Sequence, residues 1–361
     1  MGGMEIQLVP SPGRRTCPYG CFFRGRKVLN YAGIAELLTV YDQGEPRLLD
    51  LSQNGLGQPA TSIVPGTDCA SGEWCKAFDA QGKAATKGIV VMVHEERTGP
   101  NYLGKFGRAP GKTLVLWSAG QFEGGQDGYT FVIRWKFRDD GTLIPEVGAT
   151  GVPQHLATGD TSSTGAFIGR GGNGEKVFAP SQVHNFLYRL EFAIDGEYNT
   201  VEEFNYEKDK TNLAKARSSW TPILKEMGRP CNSDTFRSWR VVNYNSKNAL
   251  GHPRSYQLMP GNTGSFRGDK SENATHADLW VTVRKPNEIP RSSADPRTAM
   301  EALPSYADGE SVANKSVVLW YWVCFHHFPR SEDWPHQPMV WKSFELMPRD
   351  FLDASPLEPV K

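Results

Sequence analysis

The feature that most limits how this chain can fold is a strict two-residue periodicity, repeated along the sequence and closed each time by turn-forming residues. From Tyr129 to Phe137 the large side chains fall on odd positions (Tyr129, Phe131, Ile133, Trp135, Phe137), while Arg134, Lys136 and Arg138 fall on the other face. Asp139-Asp140-Gly141-Thr142 then turns the chain and Leu143 begins another run. Only an extended backbone sends alternate side chains to opposite faces, so this segment reads as a half-buried strand running into a hairpin. Phe186, Tyr188, Leu190, Phe192 and Ile194 repeat the pattern ahead of Asp195-Gly196. Further strands are expected over 88–94, 113–117, 239–244, 279–284 and 317–325, and helices only over 34–41 and 212–219. Gly (37) and Pro (25) exceed a sixth of the 361 residues and punctuate these short segments. Many strands with Gly/Pro turns and little helix predict a mainly β protein built as a large β-sandwich. No fixed-period repeat or linker divides it. A single domain over 17–361 is expected, with a flexible N-terminus at 1–16 and a loose end at 350–361.

Charge removes one class of function. Lys+Arg and Asp+Glu both number 40, with no local basic block, so binding nucleic acid by phosphate neutralisation is not expected. The longest apolar run, Val317 to Phe325, is nine residues. A membrane helix needs about 20. The opening residues hold no apolar stretch of signal-peptide type. A soluble, cytoplasmic protein is the expectation. Cys17, Cys21, Cys69, Cys75, Cys231 and Cys324 are too few for a disulfide scaffold at this length, and no pair has zinc-ribbon spacing. Gly169-Arg-Gly171-Gly-Asn-Gly174 fits G-x-G-x-x-G formally, but with no strand expected before it and no helix after it, it reads as a flexible loop.

Residues able to carry chemistry are few. Gln182 and His184 are two apart at the start of a strand, so both share the face of Phe186 and Tyr188. His327 follows the 317–325 run on the Val317, Leu319 and Tyr321 face, with His326 opposite. Imidazoles on adjacent strand ends can hold copper or zinc, although hydrogen-bonded core histidines explain the same spacing. Asp50 lies between Leu49 and Leu51; a carboxylate in apolar company has a raised pKa and can act as a general base, whereas an exposed loop aspartate would not.

Taken in order, several stretches resemble the catalytic domain of copper amine oxidases: 29–36 with Val40-Tyr41, Met92-Val-His94-Glu-Glu, Phe137-Arg-Asp-Asp-Gly-Thr142, Ala149-Thr-Gly-Val152, Ala179-Pro180 through His184, Asn243 through Asn248, Asp278-Leu-Trp-Val-Thr282, and His327-Phe-Pro-Arg-Ser-Glu-Asp-Trp-Pro335. The resemblance runs from about residue 22 to 358 and implies that catalytic sandwich without the small N-terminal domains usual in the family. It also implies oxidation of primary amines by copper and a quinone made from a tyrosine of the protein, in a tight homodimer. Carried over by position, the proton-abstracting base falls on Asp50 and the quinone-binding tyrosine on Tyr41. The three histidine ligands fall on Gln182, His184 and His327. The quinone precursor falls on Tyr129, in Gly128-Tyr129-Thr130 rather than the family's Asn-Tyr-Asp/Glu; Asn30-Tyr31-Ala32 lies at the wrong end. Two aspartates of a peripheral calcium-type site fall on Glu191 and Ser316.

An amide oxygen is a much weaker copper ligand than imidazole, and the quinone needs the metal to form. The departures therefore imply that any copper or other divalent metal is weakly held and that no topaquinone forms, and the cofactor stays open. Three readings follow. In the first, a repurposed enzyme of specialised metabolism carries out acid/base chemistry on a small organic substrate (cyclisation, isomerisation, elimination or condensation), with Asp50 as base and Tyr41 and Tyr129 as donors. In the second, amine oxidation persists with a quinone from Tyr129. In the third, the chain is a catalytically silent binding partner.

Overall fold

The computed structural model describes residues 4–8, 18–42, 48–49, 63–64, 66–68, 75–79, 83–84, 89–121, 128–154, 157–158, 165–212, 215–262, 264–268, 274–288 and 299–357. Among the described residues, which the strand counts cover, two large antiparallel sheets dominate. The first has eight strands and is centred on Arg26–Tyr41, Gln182–Phe192 and Val317–His327. Leu279–Val283 and Met227–Arg229 extend it on one side, Pro18–Phe23 and Met4–Leu8 on the other, and Leu48–Leu49 pairs with Arg26–Tyr41. The second has eleven strands; Thr130–Arg138 and Leu143–Gly151 form the expected hairpin within it. A third sheet of three short strands (Ala157–Thr158, Ala166–Arg170, Lys176–Ala179) stands immediately before Gln182 in the chain.

The two-residue alternation is what joins the large sheets. Phe131, Trp135 and Phe137 of the second sheet share one apolar cluster with Phe186, Tyr188, Leu190, Leu319 and Tyr321 of the first. Trp135 meets Tyr188 edge to face at 5.8 Å between ring centroids, the arrangement that ring quadrupoles favour. The central strands of the first sheet are buried on both faces. Leu187, Val318, Trp320 and Trp322 point away from the sandwich interior into a second cluster, with Ala302, Leu303 and Tyr306 of the helix Ala299–Tyr306. That explains why 317–325 is apolar at every position rather than at alternate ones.

Several expectations are corrected. The segment 34–41, expected to be helical, is the end of the Arg26–Tyr41 strand. Its consecutive Leu37 and Leu38 serve the two different clusters, and burial on both faces erases the period that separates strand from helix. The described part of 212–219 leads into the strand Ala216–Ile223, which pairs with Thr200–Lys208. The helix Ala299–Tyr306 was not anticipated. Met4–Leu8 pairs with Pro18–Phe23. At the other end Phe351 is buried and Asp353 bonds Arg254 and the backbone of Ala249, so 350–357 is docked. Gly171–Gly174 is the turn of a hairpin between Ala166–Arg170 and Lys176–Ala179, so a short strand does precede it, and no helix follows. Among the described residues no helix is long and apolar enough to cross a membrane.

Packing at the sandwich interior should dominate stability. Trp135→Ala is expected to cost about 3–5 kcal/mol in urea unfolding. Phe106→Ala, at a hairpin tip where the ring is 69% exposed, should change stability by no more than about 0.5 kcal/mol.

Candidate functional site

Strand register assembles the site. Gln182 pairs with Tyr41 on one side and His327 on the other, so these three residues form one row across the central strands. The next row inward is Thr39, His184 and Phe325, followed by Leu37, Phe186 and Val323. All point to the face that packs on the second sheet, and polarity falls from row to row until the apolar core begins. Gln182, His184 and His327 are buried (1%, 2% and 3% exposed).

Tyr129 approaches from the second sheet, just before Thr130–Arg138. Its hydroxyl lies 2.8 Å from His184 Nε2, and Thr39 Oγ1 lies 3.2 Å from His184 Nδ1. Phe131 and Phe325 wall the same imidazole, with ring centroids at 5.2 and 5.0 Å. Gly128, at φ +104°, brings the chain into Tyr129, and its carbonyl lies so close to Gly151 that a Cβ there would sit 1.9 Å away. Only glycine fits position 151, which itself has φ +103°.

Burial pushes the His184 imidazole down to about 3, with a smaller contribution from nearby His327, so the ring is neutral under ordinary conditions. Burial also lowers His327, opposed by Asp333, whose Oδ2 is 3.3 Å from His327 Nε2. A carboxylate can only accept, so His327 carries its proton on Nε2 and offers Nδ1 to the Gln182 amide, whose Nε2 donates at 3.1 Å. Asp333 is fully buried and held by the backbone N–H and Nε of Arg330. Among the described residues Gln182 Oε1 has no hydrogen-bond partner.

Tyr41 joins the row by register, but its hydroxyl donates to Gln154 Oε1 at 2.7 Å. Asp50 lies outside the described residues; the pairing of Leu48 and Leu49 with Thr39 and Leu38 brings the backbone to within one residue of it. The exposed His326 meets Ser181 on the opposite face from His327. Thr39, Asp333 and Gln154 were not singled out from the sequence. Of these, Thr39 carries a readable signal, being two residues before Tyr41 and therefore on its face.

Two imidazoles and an amide make a weaker copper donor set than three imidazoles. His327 shows the orientation usual for metal-ligating imidazoles, with its far nitrogen tied to a carboxylate. The orphaned Gln182 oxygen is a further buried acceptor, but a neutral amide binds copper weakly. Among the described residues, the one group of three His, Cys, Asp or Glu at metal-holding distances is elsewhere, at Glu226, Asp308 and Glu310. Of the two residues expected at a peripheral calcium-type site, Glu191 is paired with the guanidinium groups of Arg189 and Arg284, and the Arg284 backbone N–H donates to the Ser316 carbonyl.

The sandwich is that of a known class of copper-containing oxidase. It resembles the crystal structure of a copper-containing benzylamine oxidase from Hansenula polymorpha with a TM-score of 0.82, covering 98% of this chain and 60% of that one at 23% identity; a likeness at that identity speaks for the fold alone. The sequence carries the assignment further. Residues 19–361 match the enzyme domain of copper amine oxidase, and the chain belongs to that family. It is 28% identical to the histamine oxidase of Arthrobacter globiformis, covering 92% of this chain and 52% of the relative. It is equally similar, at 28%, to a peroxisomal copper-containing diamine oxidase of Nicotiana tabacum, covering 92% and 46%. The chain thus spans about half the length of these curated relatives.

Because His184 titrates near 3 when folded and near 6.5 when unfolded, the unfolded chain takes up a proton between those values that the native protein refuses. This contribution to metal-free protein leaves stability untouched above pH 6.5 and lowers it as pH falls from 6.5 toward 3, by roughly 1.4 kcal/mol per pH unit where the slope is full. Urea unfolding of metal-free wild type and His184→Gln across this range should differ in slope by about one proton.

Proposed function

We propose that this chain is a divergent member of its family that performs proton-transfer chemistry on a small organic molecule without a protein-derived quinone. The observation that supports this reading best is Gln182. It stands in register between Tyr41 and His327, and its amide nitrogen donates into the His327 lone pair that a metal would otherwise use. Were an ion bound, His184, His327 and Gln182 Oε1 would hold it and it would supply Lewis acidity. The protein's own groups supply the rest of the proposed chemistry. Asp50, by its correspondence to the family's base, takes a proton from the substrate. Tyr41, with its hydroxyl anchored on Gln154, and Tyr129, anchored on His184, orient the molecule and return a proton. The aromatic walls around His184 exclude water and favour an apolar substrate body. Cyclisation, isomerisation, elimination or condensation in a biosynthetic setting would suit these groups, and a homodimer is proposed by analogy with the family.

A second reading keeps copper-dependent oxidation of primary amines with a quinone from Tyr129. What favours it is the 2.8 Å contact between the Tyr129 hydroxyl and His184 Nε2, which puts the phenol beside any metal that imidazole holds, together with relatives that are themselves named amine oxidases.

Metal analysis with visible spectroscopy separates the two. Wild-type protein is expected to purify with substoichiometric copper, no quinone absorption and no phenylhydrazine adduct. Gln182→His should raise copper affinity by on the order of tenfold or more by restoring an imidazole donor. Stoichiometric copper with a phenylhydrazine adduct in the wild type would overturn the first reading and establish the second.

A further inference from the structure

The contacts of His184 have a consequence beyond ligation. Its ring is buried, walled by Phe131 and Phe325 and faced by a neutral hydroxyl at each nitrogen, so only one of the two nitrogens carries a proton, and the partner of each nitrogen decides which. The two partners are both hydroxyls, yet they differ in chemistry. The Tyr129 phenol is the stronger donor and lies at 2.8 Å from Nε2, an ordinary distance for a strong O–H bond. The Thr39 alcohol is the weaker donor and the better acceptor of the pair, and at 3.2 Å from Nδ1 its spacing suits an N–H donating to oxygen.

We infer that Thr39 is a positioning residue: its hydroxyl oxygen accepts the His184 Nδ1 proton and so fixes the tautomer in which Nε2 presents its lone pair to the Tyr129 hydroxyl. Thr39 is in direct register with His184 on the neighbouring strand, and neither backbone can shift without breaking the pairing around it. The side chain is β-branched and therefore stiff. With no substrate bound, the Tyr129 proton points to the imidazole and the phenol is held at a defined angle, from which it can turn to a bound molecule. This inference rests on the proposed role of Tyr129 as an oriented phenol, and it gives that orientation a source outside both Tyr129 and His184. It also accounts for a polar residue in a row whose other flank is Phe325, where a strand facing an apolar core would ordinarily carry valine or isoleucine.

The test is nitrogen NMR of histidine-labelled, metal-free protein, which reports the protonated and unprotonated ring nitrogens separately. Wild-type His184 should show a protonated Nδ1 and an unprotonated Nε2. Thr39→Val, nearly equal in shape but without the acceptor, should change the tautomer ratio by about fivefold, the shift that loss of one hydrogen bond produces. Thr39→Ser should restore the wild-type pattern. Tyr129→Phe should leave Nδ1 protonated, because Thr39 still holds it. A wild-type spectrum with the proton on Nε2 would overturn the inference, as would a Thr39→Val spectrum identical to wild type. If Thr39→Val fails to fold, the wild-type and Thr39→Ser spectra decide the matter by themselves. These readouts use no substrate or metal, so their outcome is distinguishable from failure of the proton-transfer reading, which copper content and the phenylhydrazine reaction decide.

Discussion

The register between three strands underlies everything else in this molecule. Arg26–Tyr41, Gln182–Phe192 and Val317–His327 come from widely separated parts of the chain, and their pairing alone brings Tyr41, Gln182 and His327 into one row. Backbone hydrogen bonds set the spacing, and burial of both faces fixes which residues point inward. The site is therefore carried on rigid elements, and the tolerance for error in its position is that of the sheet itself. Tyr129 is the exception, delivered by the opposite sheet through Gly128, and it depends on the packing between the sheets.

Much of this was legible in the amino-acid sequence, for a physical reason. The strands 130–138 and 182–192 pack one face against the opposite sheet, and the alternation they need is written in Phe131, Ile133 and Trp135, and again in Phe186, Tyr188 and Leu190. Parity puts Gln182 and His184 on one face of their strand, and His327 on the Val317, Leu319 and Tyr321 face of its own. That the three form one site comes from the family resemblance, and the pairing of the two strands is seen in the structure. Legibility failed over 34–41. Ile34 to Tyr41 serves two clusters at once, so its apolar residues lose the two-residue period and resemble a helix. The docking of Phe351 near Phe23 and Tyr256 depends on contacts from distant segments that no local pattern announces. Asp333 was within a quoted stretch, but its role emerges only from the turn Ser331–Asp333, which folds its carboxylate back onto His327.

At position 182 an amide behaves differently from an imidazole. An imidazole there would offer a lone pair. The Gln182 amide offers a donor to His327 and an unmatched acceptor, so the polar row is largely closed on itself through Asp333, His327 and Gln182. A hydrogen-bond chain of this kind is strengthened by the low dielectric around it, and the same low dielectric makes the single unmatched oxygen costly. The family fold thus supplies the frame, while the side chains at its mouth determine what is done there.

The two-sided burial of Gln182–Phe192 has an evolutionary consequence. Inserting or deleting one residue inside it would exchange its faces, sending Asn185, Leu187 and Arg189 toward the opposite sheet and His184, Phe186 and Tyr188 toward the helix Ala299–Tyr306. Changes of length are therefore confined to the connections between strands, and within this segment descent can proceed only by exchange of one side chain for another. A site built on such a strand can change its chemistry through one residue, as histidine to glutamine would, far more readily than it can move.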